Sequence, residues 1–228
     1  MKKYISTLVF LFFVGFVLAQ DVEYSNNLIA KLNKLKDHAH NSSLRQGHHH
    51  RECLTPLFAE AKKNYALLTE EAKAVFRIAA TRPSLSFEQT HSTTHFLFHY
   101  TKLGVNAVPL LDANSNNTPD FVDTMGVILE EVWHLNDQTY GYPMPPSDGP
   151  LGGNAKYDVY ISNIGVGLYG YVMSENIIGN NPNSPGIIEK YSCVSYMAMN
   201  NDYSFAGDIL TAVRLQQLMN FFMQFNLD

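Results

Sequence analysis

Apolar residues recur at helical spacing at Tyr24, Leu28, Leu32 and Leu35 and predict an amphipathic helix near the start of the chain. Thr55-Pro56 reads as an N-cap followed by proline in the first helical position, opening a helix that should run to about Leu68. Thr69-Glu-Glu-Ala72 opens another, which must stop before Pro83. Leu57, Ala61, Tyr65 and Leu68 form one apolar face, and Ala72, Phe76 and Ala79 extend it. The aromatic run from Thr94 to Thr101 is short and reads as a strand. Phe121, Met125, Leu129, Val132 and Trp133 then mark a helix from about Pro119 to Gln138. Further strands are predicted near Tyr157–Ile161, Gly170 and Ser195–Met199. Leu218, Phe221, Phe222 and Phe225 return to the spacing of a buried helix. Helices first, then strands mixed with helices, predict an α+β fold with a small mixed sheet.

Lys2 and Lys3, the apolar run Ile5–Leu18 and the small-residue site Val17-Leu-Ala19 have the form of a secretory signal covering residues 1–19. That run is too short to be favoured as a membrane span. The protein is therefore expected to be secreted, periplasmic or on the cell surface, with residues 20–52 as an N-terminal helix and polar loop and 53–228 as the main domain. A formal net charge of −5, without a basic cluster, argues against a nucleic-acid partner. With 46 % apolar residues the chain can build a real core. There are two cysteines, Cys53 and Cys193; in an exported protein they most simply form one disulfide, the alternative being two buried thiols.

Asp112-Ala-Asn-Ser-Asn-Asn-Thr-Pro-Asp-Phe-Val-Asp123 places oxygen-bearing side chains at loop positions 1, 3, 5, 9 and 12, the spacing of an EF-hand-type calcium loop. Asp112, Asn114, Asn116, Asp120 and Asp123 would supply side chains, and Thr118 its carbonyl. Position 6 is Asn117 where glycine is usual, but asparagine tolerates the left-handed conformation. Asp123 is shorter than the usual glutamate. A polar turn capping the next helix is the competing reading. Five of the nine histidines (His38, His40, His48, His49 and His50) crowd one polar loop that suggests adventitious metal pick-up. His91, His95 and His99 lie four apart, with His95 and His99 on one strand face. Half-buried strand histidines are the plainer reading, because no carboxylate lies near them in sequence to orient a metal site.

Several pieces resemble one family of exported bacterial zinc metallopeptidases. They are Cys53-Leu-Thr-Pro-Leu57, Thr94-His-Phe-Leu-Phe-His-Tyr100, Asn106-Ala-Val-Pro-Leu110 with the Asp112 loop, Gly141-Tyr-Pro143 and Pro145-Pro-Ser-Asp-Gly149. Leu151-Gly-Gly-Asn-Ala-Lys-Tyr-Asp-Val-Tyr160 and Ser195-Tyr-Met with Asn201-Asp-Tyr203 complete them. The resemblance implies the upper lobe of a zincin, ending in a helix that carries His-Glu-Phe-Phe-His. In that motif two histidines one turn apart hold zinc and the glutamate activates the bound water. Aligned on Phe221-Phe222, the three motif positions fall on Met219, Asn220 and Met223. Aligned instead on the trailing Gln224-Phe225, the motif shifts onto Gln217 to Phe221, and neither alignment leaves a histidine or glutamate in place. Thioethers are poor zinc ligands, and an amide is no general base.

The expectation is thus a metallopeptidase-like protein without zinc ligands or catalytic glutamate: a pseudoenzyme, or a chain whose reading frame is shifted or interrupted, with the lower lobe missing. A calcium-dependent extracellular module that holds a peptide or glycan around Tyr160, Tyr169 and Tyr171 is a second reading. An active enzyme using His95, His99 and His134 is a third. An uncovered Phe221/Phe222/Phe225 face would favour association or marginal stability.

Overall fold

The computed structural model describes residues 21–33, 54–165, 167–184, 186–190 and 192–206. The expected signal segment, the histidine-rich loop, Cys53 and the whole Met219/Asn220/Met223 segment lie outside them. Four α-helices occur among the described residues: α1 (21–33), α2 (Thr55–Lys63), α3 (Glu70–Ala79) and α4 (Asp120–His134). The strands are β1 (Gln89–Ser92), β2 (Phe96–Tyr100), β3 (Tyr157–Ser162), β4 (Gly170–Gly179) and β5 (Ser192–Asn200). They form one sheet in the order β1-β2-β3-β5-β4. β2, β3 and β5 run parallel, whereas β1 and β4 flank them antiparallel. The fold is α+β around a five-stranded mixed sheet. No helix among the described residues is long and apolar enough to cross a membrane.

Alternation along the central strands divides the core in two. Phe96, Phe98 and Tyr100 of β2, Val159 and Ile161 of β3, and Met197 and Met199 of β5 face α4, meeting Val122, Met125, Leu129 and Val132. On the other face Tyr160, Tyr196 and Ala198 pack with α1, α2 and α3 through Leu28, Leu32, Phe58, Ala61 and Phe76. Both faces are covered, so β3 is buried at every position and its polar residues must find partners inside.

Element ends departed from the sequence reading where tertiary contacts won. Thr55 does not cap α2; it lies inside the helix, and its hydroxyl instead accepts a 3.0 Å hydrogen bond from Val172 N of β4. α2 stops at Lys63 and a 3₁₀ turn, Tyr65–Leu67, finishes the stretch. Thr69 does cap α3, accepting from Ala72 N. α4 gives way at Leu135 to a π-helical turn ending at Gly141, which adopts the left-handed conformation. β1, a polar edge strand, was not foreseen. Cys193 is a buried thiol in β5, and burial pushes its pKa up.

Candidate functional site

Three polar constellations surround the sheet. The first is the Asp112 loop, which leads into α4. Its side chains do converge: Asn114 and Asn116 both donate to Asp123 Oδ2, at 3.2 and 2.9 Å. The Asp112 carboxylate accepts from Asn116 N (3.1 Å) and Asn117 N (2.9 Å), and Asp120 accepts from Ala113 N. Thr118 N donates to Asn116 Oδ1. Asn117 sits at φ 70° and Ser115 at φ 57°, so asparagine takes the left-handed position that glycine holds in such loops.

The second constellation is a buried charge network that sequence reasoning missed. Arg82, just beyond α3, pairs with Asp148 (2.5 Å), Asp158 of β3 and Glu175 of β4 (2.6 Å), and its guanidinium lies over the Tyr196 ring. Asp158 also holds His99 Nε2 at 3.0 Å, while Glu88 holds His99 Nδ1 at 2.9 Å. Tyr160 stacks on the His99 ring at 4.3 Å. Three carboxylates therefore surround one permanent cation and a fourth, Glu88, joins through His99, so that protonation relieves the excess negative charge. Burial pushes the Asp148 carboxyl up to about 6, against the pull of Arg82 and with the Asp158 charge adding to it. For His99 burial disfavours the charged ring, but the bonds to Asp158 and Glu88 outweigh it and hold the pKa above its usual value. Gly152 is required here: at φ 72° it lies so close to Asp158 that a Cβ would collide with the carboxylate.

The third constellation sits on the opposite sheet face. His95, immediately before β2, lies with Nδ1 2.6 Å from Glu130 Oε2 of α4. The other carboxylate oxygen accepts from Thr93 Oγ1 (2.6 Å) and His95 N (2.8 Å). Burial acts to raise the Glu130 pKa, but these bonds prevail and lower it. His134, one helical turn after Glu130, brings its ring edge-on to His95 with centroids 5.6 Å apart. Trp133 stacks on the other side of His95 at 4.5 Å. His95 and Trp133 border a cavity of 310 Å³ lined further by Pro145, Pro146, Asp148, Tyr157 and Ser195. The Tyr157 and Ser195 hydroxyls are 2.9 Å apart.

The expected histidine trio is thus divided. His95 and His134 come together, whereas His99 is buried on the far face. The carboxylate orienter absent from the local sequence comes from α4. His91 lies instead by the Asp112 loop, 3.8 Å from Asp123. Tyr160, Tyr169 and Tyr171 do not share a cleft: Tyr160 and Tyr171 pack in the core beneath α1–α3, and Tyr169 packs on the α4 side against Tyr203 and Phe205. A peptide- or glycan-binding surface built on them is corrected accordingly. The Glu130–His134 spacing was visible in sequence, but its pairing with His95 was not.

No protein-family model matches this chain, and neither a curated protein nor a solved structure does.

Proposed function

We propose that this chain is an exported zincin-type metallopeptidase domain whose zinc-binding helix is encoded one nucleotide out of register. As written it does not hydrolyse peptides on that helix, because Met219, Asn220 and Met223 offer neither imidazole nor carboxylate. The observation that carries the reading is the codon content of Leu218 to Gln224. Methionine has one codon, ATG, and asparagine begins AA. Starting one nucleotide upstream, the G of Met219 joins the AA of Asn220 to give GAA, a glutamate, whatever synonymous codons are used. The G of Met223 joins the CA of Gln224 to give GCA, an alanine, again without choice. The AT of Met219 becomes histidine if the Leu218 codon ends in C, and the AT of Met223 becomes histidine if the Phe222 codon ends in C. The codons between give phenylalanine or leucine. The shifted segment then reads His-Glu-Phe-Phe-His-Ala, with the glutamate forced into the register that the resemblance assigns to Asn220. Upstream, the codons of Leu215, Gln216 and Gln217 shift to small residues such as Thr-Ala-Ala, which suit a helix.

In this reading the Asp112 loop is a calcium clamp joining β2 to α4, with Asp112, Asn114, Asn116, Thr118, Asp120 and Asp123 around the ion. The convergence of Asn114 and Asn116 on Asp123 supports it. The test is to express the gene as written and with the single-nucleotide shift before Leu218. The shifted protein should gain chelator-sensitive hydrolysis of a casein-type substrate that its Glu→Gln version lacks. An inert shifted protein of native-like fold would overturn the proposal.

A further inference from the structure

We infer that His95, Glu130 and His134 form a binding site for a divalent ion of the zinc type, built from other residues than the Asp112 loop. One ligand atom from each of the three lies within 4.8 Å of the others. Zinc is held by imidazole nitrogens and carboxylate oxygens at about 2.0–2.2 Å, and three protein ligands with an open position are its usual arrangement at reactive sites. The His95 Nδ1–Glu130 Oε2 contact of 2.6 Å is a proton-bridged distance. Replacing that proton by an ion asks the pair to separate by about 1 Å or less.

The surroundings fix the ligands as a metal site requires. Glu130 Oε1 is pinned by Thr93 Oγ1 and His95 N, which leaves Oε2 to point at the ion. The His95 ring is clamped against Trp133, its plane within 13° of the indole. Glu130 and His134 are one turn apart on α4 and project to the same side. Gln138, a turn further on, brings its side-chain amide to 3.3 Å from His134 Nδ1; with the amide oxygen turned to the ring it would accept the Nδ1 proton and leave Nε2 for the ion. His95 and Glu130 are half-buried and His134 is exposed, so an ion has a route in and its open position is accessible from solvent. Two imidazoles and one carboxylate favour zinc or cobalt over calcium or magnesium, which prefer all-oxygen shells.

The test uses the chain without its signal segment, with His38, His40, His48, His49 and His50 replaced by asparagine so that the polar loop does not compete. It is titrated with Co²⁺ and followed by visible ligand-field absorption, then by displacement with Zn²⁺. One equivalent should bind. His134→Asn, a change at an exposed position, should keep the near-ultraviolet circular dichroism and weaken binding by about 100-fold or more. Thr93→Val should weaken it by roughly 10–100-fold by releasing the carboxylate. His91→Asn should leave it unchanged. Absence of cobalt absorption in the loop-substituted chain, or binding undiminished by His134→Asn, would overturn the inference.

Discussion

Replacing Arg82 by methionine tests the buried charge network while keeping an unbranched side chain in place of the arginine stem. The guanidinium is 17 % exposed, and its partners Asp158 and Asp148 are 0 % and 4 % exposed. Removing the cation leaves carboxylates from a loop, β3 and β4 facing one another away from water. Breaking a buried pair in this one-sided way costs about 3–5 kcal/mol, since the stranded charge keeps its desolvation penalty. With a urea slope of about 2 kcal/mol/M, the midpoint at pH 7 should fall by roughly 2 M. The deficit should shrink at pH 5. Without Arg82 the carboxylates gain more affinity for protons than in the parent, and each unit of pKa rise is worth about 1.4 kcal/mol between the two protonation states. Adding Asp158→Asn should recover part of the loss. Urea denaturation of the parent, single and double variants at both pH values measures all three effects. A deficit under about 1 kcal/mol, or one equal at the two pH values, would refute the assignment of Arg82 as the network's counter-ion.

Three further outcomes are expected. Asp148 and His99 both have folded pKa values above their unfolded ones, so the native state binds more protons and stability contributed by them is lost as pH rises. The Asp148 share should disappear between about pH 4 and 6 and the His99 share above about pH 6.5; urea midpoints taken across that range, compared with Asp148→Asn and His99→Gln, check it. Gly152→Ala forces a Cβ against the Asp158 carboxylate at a left-handed position and should cost about 2–4 kcal/mol by chemical denaturation. Chelation should lower the melting temperature through the Asp112 loop: a hundredfold excess of calcium over its dissociation constant is worth about 2.7 kcal/mol, or roughly 5–10 °C for a chain of this size. Asp123→Asn should remove the calcium dependence, and an unchanged parent melt would dismiss the clamp.

Elements with a strong period were legible before the structure. The Phe121–Trp133 face, the Tyr157–Ile161 strand and the Ser195–Met199 strand all lie where hydrophobic alternation placed them. β1 was not legible, since Gln89-Thr-His-Ser92 is a polar edge strand with hardly any apolar signal and is defined by pairing with β2. The function of Asp158 was hidden for a related reason. In a strand covered on both faces, an acid between tyrosine and valine looks like an outward residue, yet it points into the second core. Tyr160 was misjudged similarly, as an aromatic for ligand contact, because nothing local reveals that His99 stacks on it. Arg82 and the His95–Glu130 pair draw partners from segments 35 to 93 residues apart. Spacing rules work within one element, so only the Glu130–His134 half of the metal-type cluster was within their reach.

The central claim, that the zinc-binding helix is present but out of register, is tested most directly by the nucleotide sequence of this gene across codons 214–228. The account predicts CTC for Leu218 and TTC for Phe222, so that the frame one nucleotide upstream reads His-Glu-x-x-His, with TTC for Phe225 keeping that frame open. A Leu218 codon ending in any other base, or TTT at Phe222, would remove a histidine from the shifted frame and contradict it.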